Sequence, residues 1–229
     1  MTQYKHPEKT LYKTVSVWLK EHFKCFKTEI DKGLRISRID VVGVRDVGGD
    51  LSGEVETIAV EVKRGSSPFA TACGQTLGYN VCANRVYLAD IRSGGFSLDE
   101  LDIASHLGIG LVQIRGTTCV EVRSSPFYKP IEKFHFALLE RLRLGRCQWC
   151  GSVFEIGDAK RHSNLVRENI ATALAQKKGL MFGNRELAKR KAELGVRGIR
   201  QYGKSAGAER RFICPNCIAY VVAQLRREL

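Results

Sequence analysis

Apolar positions divide the first half of the chain into segments of helical and strand period. Between Pro7 and about Lys27, the residues Leu11, Val15, Trp18, Leu19, Phe23 and Phe26 recur at helical spacing, and Pro7 suits a first helical turn. Leu34 to Val44 and Val55 to Lys63 are rich in β-branched residues and predict strands. Gly48-Gly49-Asp50-Leu51-Ser52-Gly53 supplies the turn of the long hairpin between them. Pro68 to Ala83 predicts a helix loosened by Gly74 and Gly78, and Arg85 to Ala89 a short strand. Ser97 predicts the cap of a helix through His106, with Glu100 completing a capping box. Ile109 to Ile114 and Thr118 to Val122 predict two further strands, with Gly116 and Thr117 between them. The order helix, strand, strand, helix, strand, helix, strand, strand predicts an α/β fold, a mixed sheet flanked by helices with right-handed parallel crossovers. Ser124 to Pro130 interrupts the pattern and reads as a linker, followed by a helix from Ile131 to Leu144.

Alternation within Val55–Lys63 has chemical content. Side chains on a strand alternate between faces, so Ile58, Val60 and Val62 share one face and Glu61 and Lys63 the other. A carboxylate and an ammonium side by side, with Asp40 at the end of the preceding strand, can ligate a hard divalent cation and orient a water. The Val62 main-chain carbonyl is a further candidate ligand. One or two such ions generate a nucleophile and stabilise a leaving oxygen. Taken alone, Glu-x-Lys on a strand describes a solvated face with a weak ion pair. Its setting, with Asp40 upstream and a helix downstream, is what makes it a candidate site.

Residues 8 to about 115 resemble the PD-(D/E)xK nuclease superfamily, the restriction-endonuclease-like fold. Asp40 matches the first acid, and Glu61 and Lys63 match the (D/E)xK element. Ile39 stands where many members have proline, and 20 residues separate Asp40 from Glu61, a longer hairpin than the minimal fold needs. Gln75-Thr-Leu-Gly-Tyr79 resembles the Q-x-x-x-Y element of some branches, and Glu8-Lys-Thr-Leu11 resembles the helix-one glutamate of archaeal Holliday-junction resolvases. The resemblance implies Mg²⁺ or Mn²⁺ at Asp40 and Glu61, with Lys63 orienting or helping to deprotonate water. It gives Glu8 and Gln75 supporting roles, while Tyr79 reads equally as a core tyrosine. It also implies DNA as substrate, frequent homodimers, and a restriction or defence setting, with junction or repair cleavage behind it.

The second half carries different chemistry. Cys147-Gln-Trp-Cys150 and Cys214-Pro-Asn-Cys217 are two Cys-x-x-Cys pairs, a pattern that predicts a closed, structural Zn²⁺ site. Sixty-three residues separate the pairs, which predicts an insertion looped out of a zinc ribbon. Cys25, Cys73, Cys82 and Cys119 lie in apolar segments and read as small buried hydrophobes.

Of the net charge of +13, residues 1–130 contribute +2 and residues 131–229 contribute +11. Lys160, Arg161, Arg167, Lys177, Lys178, Arg185, Lys189, Arg190, Lys191, Arg197, Arg200 and Lys204 crowd the insertion. This density suits phosphate contacts, and the blander alternative is a solvated surface. Leu165, Val166, Ile170, Ala173 and Leu174 recur at helical spacing there, and Asn184 can cap a second helix through Leu194. His162 reads as a surface or phosphate-contacting residue, since four cysteines already complete a zinc site.

The reading is therefore of a nuclease-like domain over 1–125, a linker and connecting helix over 126–146, and a small helical zinc domain with a basic insertion over 147–229. The expected activity is metal-dependent hydrolysis of DNA phosphodiesters. Two rivals are a non-catalytic DNA-binding scaffold and a zinc-dependent interaction module in a larger defence or transposition complex with partner proteins. The polar, charged first residues and the lack of a long apolar run predict no signal peptide and no membrane span. A cytoplasmic or nucleoid-associated protein with reduced thiols is expected.

Overall fold

The strand expected over Val55–Lys63 is central to the sheet. In the computed structural model, the described residues are 8–35, 37–48, 54–65, 67–147 and 150–156, with Cys214, Asn216, Cys217, Ala219, Tyr220 and Ala223. The chain divides into two compact units, residues 1–49 with 55–142, and residues 50–54 with 143–229.

The first unit opens with helix α1 (Glu8–His22). Strands β1 (Lys27–Leu34), β2 (Ser37–Asp46) and β3 (Val55–Lys63) follow. Then come helix α2 (Phe69–Gly78), a 3₁₀ turn over Tyr79–Val81, β4 (Arg85–Ile91), α3 (Leu98–Leu107), β5 (Gly110–Arg115), β6 (Thr118–Arg123) and α4 (Glu132–Arg141). The six strands form one sheet in the order β1-β2-β3-β4-β5-β6. β1, β2 and β3 are antiparallel, β3, β4 and β5 run parallel, and β6 returns antiparallel to β5. The mixed α/β architecture is as the pattern predicts.

Three differences have physical causes. α1 stops at His22, short of Lys27, because Lys24 is left-handed (φ 57°) and the Cys25 amide turns back to the Leu19 carbonyl. Phe26 consequently lies beyond the helix and is 53 % exposed. β1 goes unpredicted because it is an edge strand of mixed charge, Lys-Thr-Glu-Ile-Asp-Lys-Gly-Leu, with no fully buried side chain. The segment 124–130 lies against the sheet: the Ser125 amide donates to the Tyr87 hydroxyl (3.1 Å) and the Tyr128 amide to the Asn84 carbonyl (2.7 Å).

The core follows the predicted parity. Ile58, Val60 and Val62 pack with Leu11, Val15, Trp18 and Leu19 of α1, and with Val41, Tyr87, Ala89, Val112 and Ile114. Gly43 lets α1 and its exit turn approach this face, since a β-carbon there would stand 2.7 Å from Cys25 Sγ. The opposite face is covered too. The β3-α2-β4 crossover brings Tyr79, at the exit of α2, onto Glu61 of this face. α4 reaches it through His135 Nε2, 3.4 Å from Thr57 Oγ1. β3 is thus buried on both faces from Glu56 to Val62, so its acidic residue at 61 lies in the interior. The predicted capping box is present: the Ser97 hydroxyl accepts from the Glu100 amide, and the Glu100 carboxylate from the Ser97 amide.

Cys25, Cys73 and Cys82 are buried and Cys119 half-buried. Burial pushes their thiols up to about 12, 11, 11 and 12. No helix among the described residues is long and apolar enough to cross a membrane.

Candidate active site and cysteine cluster

Asp40 sits where β2 loses regular pairing on both sides. Towards β3 the ladder ends at Val41↔Val60. Towards β1 it passes from Ile30↔Val41 to Lys32↔Ile39, with Asp31 left-handed (φ 59°) between them. Aspartate tolerates this conformation better than most residues. Continued past Val60, the register sets Asp40 opposite Glu61, on the same sheet face.

Side-chain hydrogen bonds take over where the ladder stops. The Val62 amide donates to Asp40 Oδ2 (2.9 Å), and the Tyr12 hydroxyl donates to Asp40 Oδ1 (2.8 Å). Lys63 Nζ lies 2.5 Å from Glu61 Oε1, and the Tyr79 hydroxyl contacts Glu61 Oε2. All four oxygens of the carboxylate pair therefore carry a donor. The Lys63 and Glu61 side chains are only 14 % and 6 % exposed. A charge pair this dry is not the solvated strand face that Glu-x-Lys describes by itself, because removing both charges from water costs several kcal/mol unless geometry compensates.

Tyr79 belongs to the site and to the core at once. It is buried, and its hydroxyl also stands 2.8 Å from the Arg38 carbonyl. Burial, followed by the bond to Glu61, raises its pKa well above the ordinary phenol range. Gln75 is one helical turn earlier on α2 and exposed. α1 begins at Glu8, whose side chain lies outside the described residues. The Val62 side chain is in the core, and its amide, not its carbonyl, makes the bond to Asp40.

Three participants escape the sequence reading. Tyr12 lies among the apolar residues of α1, and a buried phenol needs a polar partner, which is its one sequence-level signal. Asp90 pairs in register with Lys63 on the neighbouring parallel strand. It takes the Gly65 amide (2.6 Å) and the Arg92 guanidinium (2.8 Å), and burial raises its pKa against the pull of Arg92. Gln113, Asp90's partner on β5, is also buried and holds Arg115. Lys63, Asp90 and Gln113 thus line up near the carboxyl ends of three parallel strands, where open α/β sheets place their ligand sites.

In the second unit, a short hairpin of β7 (Leu144–Arg146) and β8 (Val153–Glu155) carries the first cysteine pair at its turn. Gly151 takes a positive φ of 78°, its amide returns to the Cys147 carbonyl (2.9 Å), and the Cys147 amide donates to the Ser152 carbonyl (2.7 Å). The sulfurs of Cys147, Cys150, Cys214 and Cys217 all lie within 4.8 Å of one another. Cys150 and Cys214 sulfurs are 3.7 Å apart. Tetrahedral Zn–S bonds of about 2.3 Å place sulfurs about 3.8 Å apart. The Cys214 amide donates to Cys147 Sγ and the Cys217 amide to Cys214 Sγ, donors suited to thiolates. The Ser152 hydroxyl and amide draw the Cys150 thiol down to about 6, while burial and the neighbouring sulfurs push Cys217 up. The cluster can hold a metal such as zinc.

The basic residues from Lys160 to Lys204, His162, the two helices expected around them and the turn over 49–53 lie outside the described residues.

No protein-family model matches this chain, and no curated protein matches it. A solved structure, the SPO1766 protein of unknown function from Silicibacter pomeroyi, is similar over 60 % of this chain and 85 % of its own, at 21 % identity and a TM-score of 0.45. That likeness carries no functional argument.

Proposed function

We propose that this chain is a metal-dependent DNA endonuclease of the PD-(D/E)xK type. The observation that carries the reading is the meeting of Asp40, Glu61 and Lys63 where β2 and β3 part. The surrounding order supports it: a helix, an antiparallel β1-β2-β3 meander, a crossover helix, and β4 parallel to β3. The coarse architecture, a mixed sheet flanked by helices, agrees with the resemblance.

The donor set fits Mg²⁺ or Mn²⁺, since it offers hard carboxylate oxygens from two strands, one half-buried and one buried. When bound, such an ion polarises the phosphate and lowers the pKa of a coordinated water. Asp40 and Glu61 would hold it, with the Val62 carbonyl as the expected third ligand. Lys63 is kept at the same place by its contact with Glu61. Its ammonium orients the water and offsets negative charge developing on the phosphate oxygens. Val62, between Glu61 and Lys63, anchors both against the α1 face of the core.

The cysteine cluster is assigned to structural Zn²⁺, and the basic residues 160–204 to DNA backbone contacts.

The decisive experiment incubates plasmid and branched DNA with the full chain in Mg²⁺ or Mn²⁺. Wild type should cleave, and Lys63→Ala should lose activity about a hundredfold or more. Equal background cleavage by both proteins sinks the reading.

A further inference from the structure

Each carboxylate of the site is gripped by a tyrosine from a different side of the sheet. Tyr79 approaches from the turn after α2, and its hydroxyl has one proton to share between two acceptors, Glu61 Oε2 and the Arg38 carbonyl. Tyr12 approaches from α1 and gives its proton to Asp40 Oδ1 at 2.8 Å. Asp40 Oδ2 is held at 2.9 Å by the Val62 amide. Restrained at one oxygen from α1 and at the other from β3, the Asp40 carboxylate has a defined plane. This matters because the backbone around Asp40 lacks regular ladder pairing on either side and orients the side chain weakly by itself.

We propose that Tyr12 is a positioning residue, whose hydroxyl fixes the Asp40 carboxylate in the orientation that binds the divalent cation. The inference rests on the proposed role of Asp40 as a ligand. Tyr12 packs its ring among Leu11, Val15 and their core neighbours and is 7 % exposed. Phenylalanine would fill the same apolar space, so packing alone gives no reason for the oxygen. Its acceptor is a carboxylate 28 residues away in sequence. An ionised carboxylate has about four lone-pair sites. Asp40 can accept from Tyr12 and Val62 and still ligate an ion. Groups of this kind, which bond the ligand and not the metal, typically change metal affinity or activity about ten- to a hundredfold when removed.

The test measures Mn²⁺ binding calorimetrically on the full, zinc-loaded chain for wild type, Tyr12→Phe, Asp40→Asn and the double variant, with thermal unfolding of each in metal-free buffer. Tyr12→Phe should weaken Mn²⁺ binding about tenfold or more while unfolding near the wild-type temperature. The Mn²⁺ concentration for half-maximal cleavage should rise in parallel, and the KM for DNA at saturating Mn²⁺ should hold. The double variant should bind Mn²⁺ no worse than Asp40→Asn, because Tyr12 acts through Asp40. If Tyr12→Phe binds Mn²⁺ like wild type while Asp40→Asn does not, Tyr12 is merely structural and the proposal falls with the ligand reading intact. If the double variant is markedly worse than Asp40→Asn, Tyr12 acts by another route and the proposal also falls. If wild type and Asp40→Asn bind Mn²⁺ alike, Asp40 is no ligand, and the proposal falls together with the nuclease reading.

Discussion

Lys63 and Asp90 are register partners on the parallel strands β3 and β4, and Asp90 also captures the amide of Gly65, two residues beyond Lys63. A buried carboxylate therefore clamps the chain at the point where it leaves the candidate site. Arg92 completes the clamp by bonding Asp90 and Glu100 while its guanidinium lies over the rings of Phe69 and Phe96.

Asp90→Ala should destabilise the first unit by about 2 kcal/mol, because it leaves the Gly65 amide without its acceptor and removes one of the two carboxylates that pair with Arg92. Gly65→Ala should also be costly: φ is 77°, and the new β-carbon would lie 2.7 Å from the Ile91 carbonyl oxygen. The left-handed conformation alone costs about 1–2 kcal/mol. Urea unfolding of both variants measures these losses, and wild-type midpoints would contradict the clamp.

Glu121 ties β6 to α1. Its carboxylate takes the Tyr87 hydroxyl (2.7 Å) and meets His22 Nε2 (2.8 Å). Burial pushes its pKa up, but the donors from Tyr87, Ser124 and His22 outweigh this and hold it below the ordinary 4.5. The folded state thus binds this proton less readily than the unfolded state. The associated stability is present above about 4.5 and is lost as pH falls through the lowered folded value. Glu121→Gln should flatten that part of the acid limb. Denaturation midpoints of both proteins from pH 6 downward, at about half-unit steps, would reveal it, and parallel curves would refute it.

Metal removal should act on the second unit first. Purified chain should carry about one zinc, and chelation should unfold the unit, since structural zinc contributes about 10–16 kcal/mol in small zinc-dependent folds. Cys150→Ser and Cys214→Ser should lower zinc content and protease resistance together. Elemental analysis finding no zinc, with unchanged protease resistance after chelation, would remove the assignment.

DNA affinity should fall steeply with salt. With 12 cationic candidates between Lys160 and Lys204, several phosphate contacts should give a log–log slope of several units. Each cation contacting a phosphate should reduce that slope by roughly one unit when replaced by alanine. Fluorescence anisotropy across a salt series checks this. A flat response would return these residues to the solvated surface.

The local chemistry of the chain determines a good part of this picture. Period-two alternation marks β3 and tells which side Glu61 and Lys63 share, because strand geometry alone sets side-chain parity. Ser97 and Glu100 define a helix start because their capping bonds span three residues. Two Cys-x-x-Cys pairs imply one cluster because thiols at that spacing suit a single tetrahedral ion.

The rest depends on tertiary structure. β1 carries no hydrophobic alternation, and only its pairing with β2 makes it a strand. The burial of Glu61, which turns an ordinary strand pattern into a dry ion pair, comes from layers packed on both sheet faces. The bonds of Tyr12 to Asp40, Tyr79 to Glu61 and Asp90 to Gly65 span 28, 18 and 25 residues. No local period encodes such contacts. They exist because helix packing, the ends of β-ladders and parallel register bring together groups that the linear chain keeps far apart.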